Sequence, residues 1–283
     1  MEYGLKRWQT VMALTKCGGN ARFIKLHPAS LVNVPPSLDP AEVVCLAETY
    51  LTAFQVLHFG QRGTARYKNT SLKGKSVLIV GAMSNNLGKA MIDLATNANA
   101  AVIYATAKKK HWKTLAALGA IPLDQEESEW ITRLEESMDL VLATNGANRE
   151  DVSTLHMKAL RPKAGHLIVC GHRVADTDIP VGEWKERKPM QLSWPKQNSS
   201  TQWLHYTHGY DVFDQWDTKL DVCQADLKHL LQLLAEGAIK PYVLDRIPLT
   251  KVPKAQEVLD SKRLAGHLVC EPWLKSKRRA VGL

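Results

Sequence analysis

The stretch Ser76–Ala95, "SVLIVGAMSNNLGKAMIDLA", constrains this chain more than any other. Val77 to Val80 form an unbroken aliphatic run, the pattern of a strand buried on both faces. A turn with two glycines, Gly81 and Gly88, leads into an amphipathic helix. The pattern then repeats. "AVIYATA", "IPLD", "MDLVLATNG" and "GHLIVCG" read as strands. "HWKTLAALG", "ESEWITRLEE" and "DVSTLHMKALRP" read as the helices between them, the first closed at Gly119. This alternation predicts an α/β fold, a parallel sheet covered on both faces.

The flanks read differently. "TVMALTK" and "ARFIKL" are strand-like runs around the turn "CGGN". Asp39 and Pro40 open a helix: an oxygen acceptor at the cap, then proline at the first helical position. That helix is expected over 41–62, broken near Gly60. Residues 173–222 read as irregular, with "ERKPMQLSWPKQNSSTQW" as a polar loop or lid. A long helix from Gln224 to Ala235 closes at Gly237, and a strand, a helix and a strand follow it.

With 283 residues the chain accommodates one large domain or two linked ones. No apolar run reaches the length of a membrane span, and "MEYGLKRWQTVMALTK" holds no secretory apolar core. The five cysteines are far apart and form no C-x-x-C pair, which predicts reduced core thiols in an intracellular, cytoplasmic protein. His205/His208 and Cys170/His172 have no matching second cluster, so no metal site is expected. The net charge of +9 is dispersed except at Lys108–Lys110 and Lys275–Arg279. No nucleic-acid motif accompanies it, and no nucleic acid partner is expected.

A strand, a glycine turn and a helix start aim free amides and the positive helix end at one point, a geometry that favours phosphate. In "GAMSNNLG" Gly81 serves the tight turn and Gly88 the close helix packing, but Ser84, Asn85 and Asn86 stand where a middle glycine is usual. By itself a plain strand-turn-helix explains the stretch equally well. A site for NAD carries an acid about 20 residues past the glycines, on the ribose 2′-hydroxyl. Here the chain reads "YATAKKKH", with no acid and three lysines. Lysines attract a 2′-phosphate, so NADP(H) is the expected cofactor, with Lys108 as its contact and Thr106 as a helper.

These pieces, in this order, resemble the medium-chain dehydrogenase/reductase superfamily, and within it the zinc-independent quinone oxidoreductase and enoyl-reductase-like branch. The resemblance runs from Val11 to Pro272, through stretches such as "VPPSLDPAEVVCLAETYLTAFQVL" and "LLAEGAIKPYVLDRIPLTKVPKAQEVLDSKRLAGHLVCEP". It implies a remnant of a GroES-like substrate domain over 1–45, a Rossmann domain over 46–245 and a return to the first domain over 246–283. It implies hydride transfer from NADPH to a quinone, enone or related carbonyl-conjugated small molecule. Thr52 matches the family threonine that bonds the nicotinamide carboxamide. Thr144, Asn145, Gly171 and His172 match later cofactor loops, and Leu87 lies in the phosphate turn. Tyr50 is a candidate proton donor, with a packing tyrosine as the alternative.

Three departures stand out. Family members carry more chain ahead of the part matching Val11, so a shortened front is expected to impair turnover. The turn has lost its central glycines. Ala143 replaces a frequent acid or polar residue. A non-catalytic relative acting through protein contacts is therefore the second reading. A homodimer joined near the strand "GHLIVCG" is also expected.

Overall fold

A computed structural model describes residues 4–59, 72–127, 129–144, 158–162, 164–170, 207–261 and 266–275. At its centre lies a six-stranded sheet built from β3 (Ser76–Val80), β4 (Val102–Ala107), β5 (Ile121–Asp124), β6 (Leu140–Ala143), β7 (His166–Cys170) and β8 (Thr207–Tyr210). The order is β5-β4-β3-β6-β7-β8 and every pair is parallel. The chain runs outward from β3 to β5, then crosses back to β6, so the winding direction reverses between β3 and β6.

The aliphatic run of β3 faces two cores. Val77 and Ile79 join the cluster on one face, and Leu78 joins the cluster on the other with Val141, Leu167 and Trp130. Alternate side chains of a strand point to opposite faces, so a strand covered on both must be apolar throughout. Each such side chain, fully buried, contributes about 1.5–3 kcal/mol.

Asp39 caps the first helix, its carboxylate accepting from the Ala41 amide at 3.0 Å. The helical run is α1 (Pro40–Cys45), a wider π-turn (Leu46–Tyr50) and α2 (Leu51–Leu57), which ends at His58. The break expected near Gly60 lies outside the described residues. Helix α2 packs on α3 (Asn86–Asn97), and Phe54, Met91 and Ile92 belong to one core with Leu227 and Leu230 of α7 (Leu220–Ala235). Between β4 and β5 lies α4 (Trp112–Ala117).

Some sequence expectations need correction. "TVMALTK" contributes only β1 (Val11–Met12), paired antiparallel with β2 (Val32–Asn33). Pro35 and Pro36 follow β2 and stop the ladder, because proline lacks the donor that a ladder needs. "ARFIKL" forms no strand; Phe23 is 82% exposed and packs edge-on against Trp273 at 5.5 Å. The helix in "ESEWITRLEE" narrows to α5 (Glu129–Arg133), and Glu136 at φ +53° turns the chain out of helical geometry. The stretch expected to be irregular contains β8 and α6 (Val212–Thr218), capped by Asp211 on the Phe213 amide at 2.8 Å. The long helix α7 begins at Leu220, four residues early, because Lys219 adopts a non-helical backbone and separates it from α6. Cys45, Cys170 and Cys223 are core thiols, but Cys17 is exposed and Cys270 half-buried.

A second small sheet pairs β9 (Val243–Pro248) in parallel with β10 (His267–Glu271), with α8 (Val252–Ser261) between them in sequence. Arg246 ties it to the start of α1, its guanidinium donating to Asp39 and, at 2.8 Å, to Glu271. Among the described residues no helix is long and apolar enough to cross a membrane.

Candidate functional site

The winding reverses between β3 and β6, and in open α/β sheets ligands bind beyond the carboxyl ends of the strands at such a point. Gly81 and Thr144 stand there, directly after β3 and β6. Gly81 turns the chain at φ +71°, in the left-handed region that glycine enters without strain. Its amide donates to Thr106 Oγ1 at 2.8 Å, and the Ala82 amide donates to the Thr106 carbonyl at 3.1 Å. The Thr144 hydroxyl lies 2.9 Å from the Val80 carbonyl and 2.8 Å from that of Gly81, and donates into that pair. The Ser84 hydroxyl donates to the Gly81 carbonyl at 2.5 Å. Asn85 donates through Nδ2 to the Thr144 carbonyl at 3.2 Å and caps α3 by accepting from the Leu87 amide at 3.0 Å.

The residues that replace the middle glycine therefore knit the turn together. Ser84, Asn85, Thr106 and Thr144 all came forward from the sequence as cofactor contacts, and the structure engages their side chains with the turn itself. What remains for an anion is the helix start. A helix has no internal acceptor for its first amides. The Leu87 amide is taken by Asn85, which leaves those of Asn86 and Gly88 at the positive end of α3. A side chain at Gly88 would put its Cβ 2.2 Å from the Ala82 carbonyl oxygen, so the helix approaches the turn as closely as backbone allows. Free amides at a helix start are groups that can accept an anion such as a pyrophosphate.

At the end of β4, Lys108 and Lys109 face the chain's own carboxylates. Lys108 lies 3.5 Å from Glu126, and Lys109 lies 3.1 Å from Asp124 and 3.3 Å from Glu127. Bonds to Asp124 and Glu127 hold the Lys109 ammonium above its ordinary range. The Glu126 amide and Lys109 hold the Asp124 carboxyl below its own. Lys110 makes no ion pair among the described residues.

Thr52, in the first turn of α2, is buried. Tyr50 is also buried, and its hydroxyl donates to Asp93 on α3 at 2.7 Å. Burial, then the Asp93 carboxylate, drive the tyrosine proton far from release. We assign Tyr50 to packing, because a proton donor has to reach a substrate. Asn86 turns its side chain away from the turn, to accept from the Gly266 amide at 2.9 Å. Asn145, Gly171 and His172 lie outside the described residues.

A buried polar network also escaped the sequence reading. Gln55 of α2 donates to Asp226 of α7 at 2.6 Å and accepts from the Tyr210 hydroxyl at the end of β8. Asp226 is fully buried. Gln55, set between Phe54 and Val56 in α2, was the available signal. Among the described residues, no group of three or more His, Cys, Asp and Glu is arranged to hold a metal ion.

The sequence model of the zinc-binding dehydrogenase family matches residues 117–270. The chain is 23% identical over 276 residues to the synaptic vesicle membrane protein VAT-1 homolog of Rattus norvegicus. That match covers 94% of this chain but only 64% of the length of the rat protein. Among solved structures, a probable oxidoreductase from Mycobacterium abscessus superposes with a TM-score of 0.67 at 24% identity, covering 95% of this chain and 75% of that one. The JamJ enoyl reductase superposes with a TM-score of 0.70 at 18% identity, covering 94% and 74%. At such identities the superpositions speak for the fold. The family match spans more than half of the chain, and the chain belongs to the zinc-binding dehydrogenase family.

Proposed function

We propose that this chain is the coenzyme-binding body of an NADP(H)-dependent reductase whose acceptor is a quinone, an enone or a related carbonyl-conjugated small molecule. One observation carries the reading: a glycine-cradled helix start at the reversal of the sheet, beside three lysines that close β4. The amides of Asn86 and Gly88 would hold the pyrophosphate. Lys108 and its neighbours would hold the 2′-phosphate, with Glu126 and Glu127 as competitors for the same ammonium groups. Thr52 would hold the nicotinamide carboxamide. NADPH, when bound, supplies the hydride. In such a site the protein's part is to orient the two reactants and exclude water. Residues 1–45 and 246–283 would belong to the substrate domain, and a homodimer would form along the sheet edge, which β8 occupies.

The test is a melting-temperature series with NADPH, NADH and no ligand. A ligand at 100 times its Kd that binds only the folded state stabilises it by about 2.7 kcal/mol. A larger rise with NADPH than with NADH supports the reading. No rise with either coenzyme at millimolar concentration overturns it. Loss of NADPH absorbance on adding a quinone or an enone then tests turnover.

A further inference from the structure

Helix α3 carries a polar stripe that has no part in its core packing. Asn86, Lys89, Asp93 and Asn97 are spaced 3, 4 and 4 residues apart, which places them on one side of the helix. All four meet the segments that bracket the small sheet. Asn86 accepts from the Gly266 amide at 2.9 Å, just before β10. The Lys89 ammonium lies 5.4 Å from the ring centre of Tyr242, just before β9. Asp93 accepts from the Lys240 amide at 3.1 Å through the same oxygen that holds Tyr50. Asn97 donates to the Ala238 carbonyl at 3.4 Å. Gly266 is fitted to this seam. It adopts φ +132°, and a Cβ there would lie 2.6 Å from the Tyr242 ring and 2.9 Å from Leu244 Cβ.

We propose that Asn86 is a positioning residue that couples coenzyme binding to the seating of the β9–β10 sheet. Its backbone amide belongs to the helix start that faces the phosphate, and its side chain holds the strand that returns to the substrate domain. Fixing the first turn of α3 on a dinucleotide fixes the acceptor of Gly266 as well. A glycine at this position, usual in such turns, would leave the return strand without that hold. The coupling rests on the coenzyme reading above.

Hydrogen exchange of peptides spanning 266–271, with melting temperatures measured in parallel, tests it. Without ligand, Asn86→Ala should exchange there roughly fivefold faster than the native chain, the ratio expected for one ordinary hydrogen bond. Asn86→Asp, which keeps an acceptor oxygen, should match the native chain, and Asn97→Ala should leave 266–271 unchanged. NADPH should slow exchange at 266–271 in the native chain. In Asn86→Ala it should raise the melting temperature without slowing exchange there. Unchanged exchange in ligand-free Asn86→Ala overturns the latch. A melting shift in the native chain without protection at 266–271, or protection retained in Asn86→Ala, overturns the coupling alone. No melting shift with NADPH in the native chain overturns the coenzyme reading and the coupling with it, while the ligand-free arm still reads the latch.

Discussion

Thr106, near the end of β4, holds the Gly81 amide at 2.8 Å with its side-chain oxygen. Thr106 is 2% exposed, so water does not replace that oxygen if it is lost. Thr106→Val keeps the shape and removes the acceptor. A buried donor left without a partner costs about 1–3 kcal/mol. The urea midpoint should fall by that free energy divided by an unchanged slope, and Thr106→Ser should recover most of it. An unaltered midpoint in the valine variant would show that the turn does not depend on this bond.

Gly88→Ala should be worse. The new Cβ would sit 2.2 Å from the Ala82 oxygen and 2.5 Å from its Cα, and these are backbone atoms that cannot swing aside. Helix α3 would have to lift from the turn, at about 3 kcal/mol or more. The amides aimed at the phosphate would move with it. The variant should lose any melting shift with NADPH even at temperatures where circular dichroism shows it folded.

The sheet was legible because β3, β4, β6 and β7 are covered on both faces, and double coverage writes itself as continuous apolar runs. The α1 start was legible for a different reason: Asp39 and Pro40 encode a cap through one local bond and one fixed dihedral. The front of the chain was not, because "ARFIKL" has strand-like composition but no ladder partner, and pairing is non-local. The site was half legible. Gly81 and Gly88 carried their backbone meaning. The second use of Ser84, Asn85 and Thr144, as braces of the turn, depends on β6 arriving beside β3, which local sequence does not state. The acids facing Lys108 and Lys109 come from the end of β5 and the chain just after it, brought close by the β4–β5 pairing.

Those acids make the lysines testable by charge. Lys108→Glu should weaken NADPH about tenfold relative to NADH, a difference of ~1.4 kcal/mol. Glu126→Gln should act in the opposite direction, because it removes the carboxylate 3.5 Å from Lys108. The gain should be small and shrink with salt, since both side chains are more than half exposed. Equal weakening of NADPH and NADH by Lys108→Glu would show that no 2′-phosphate lies there.

Acid sensitivity should centre on β10. Burial, and then the Lys89 ammonium, push His267 down to about 4 from the 6.5 of a free imidazole. The unfolded chain therefore binds a proton between those values that the folded one refuses. Stability should rise with pH across that window and level off above it. Burial also lowers His166 and His229, which act in the same direction. A shift of that size corresponds to at most about 3 kcal/mol, fully lost only below the folded-state value. His267→Gln should flatten the loss of melting temperature between pH 6.5 and pH 4. Because His267 follows Gly266 directly, protonation should also loosen the seam at Asn86, seen as faster exchange of 266–271 at the acid end after correction for the intrinsic rate. A histidine-independent acid profile, identical in the glutamine variant, would place the lability in the carboxylates instead.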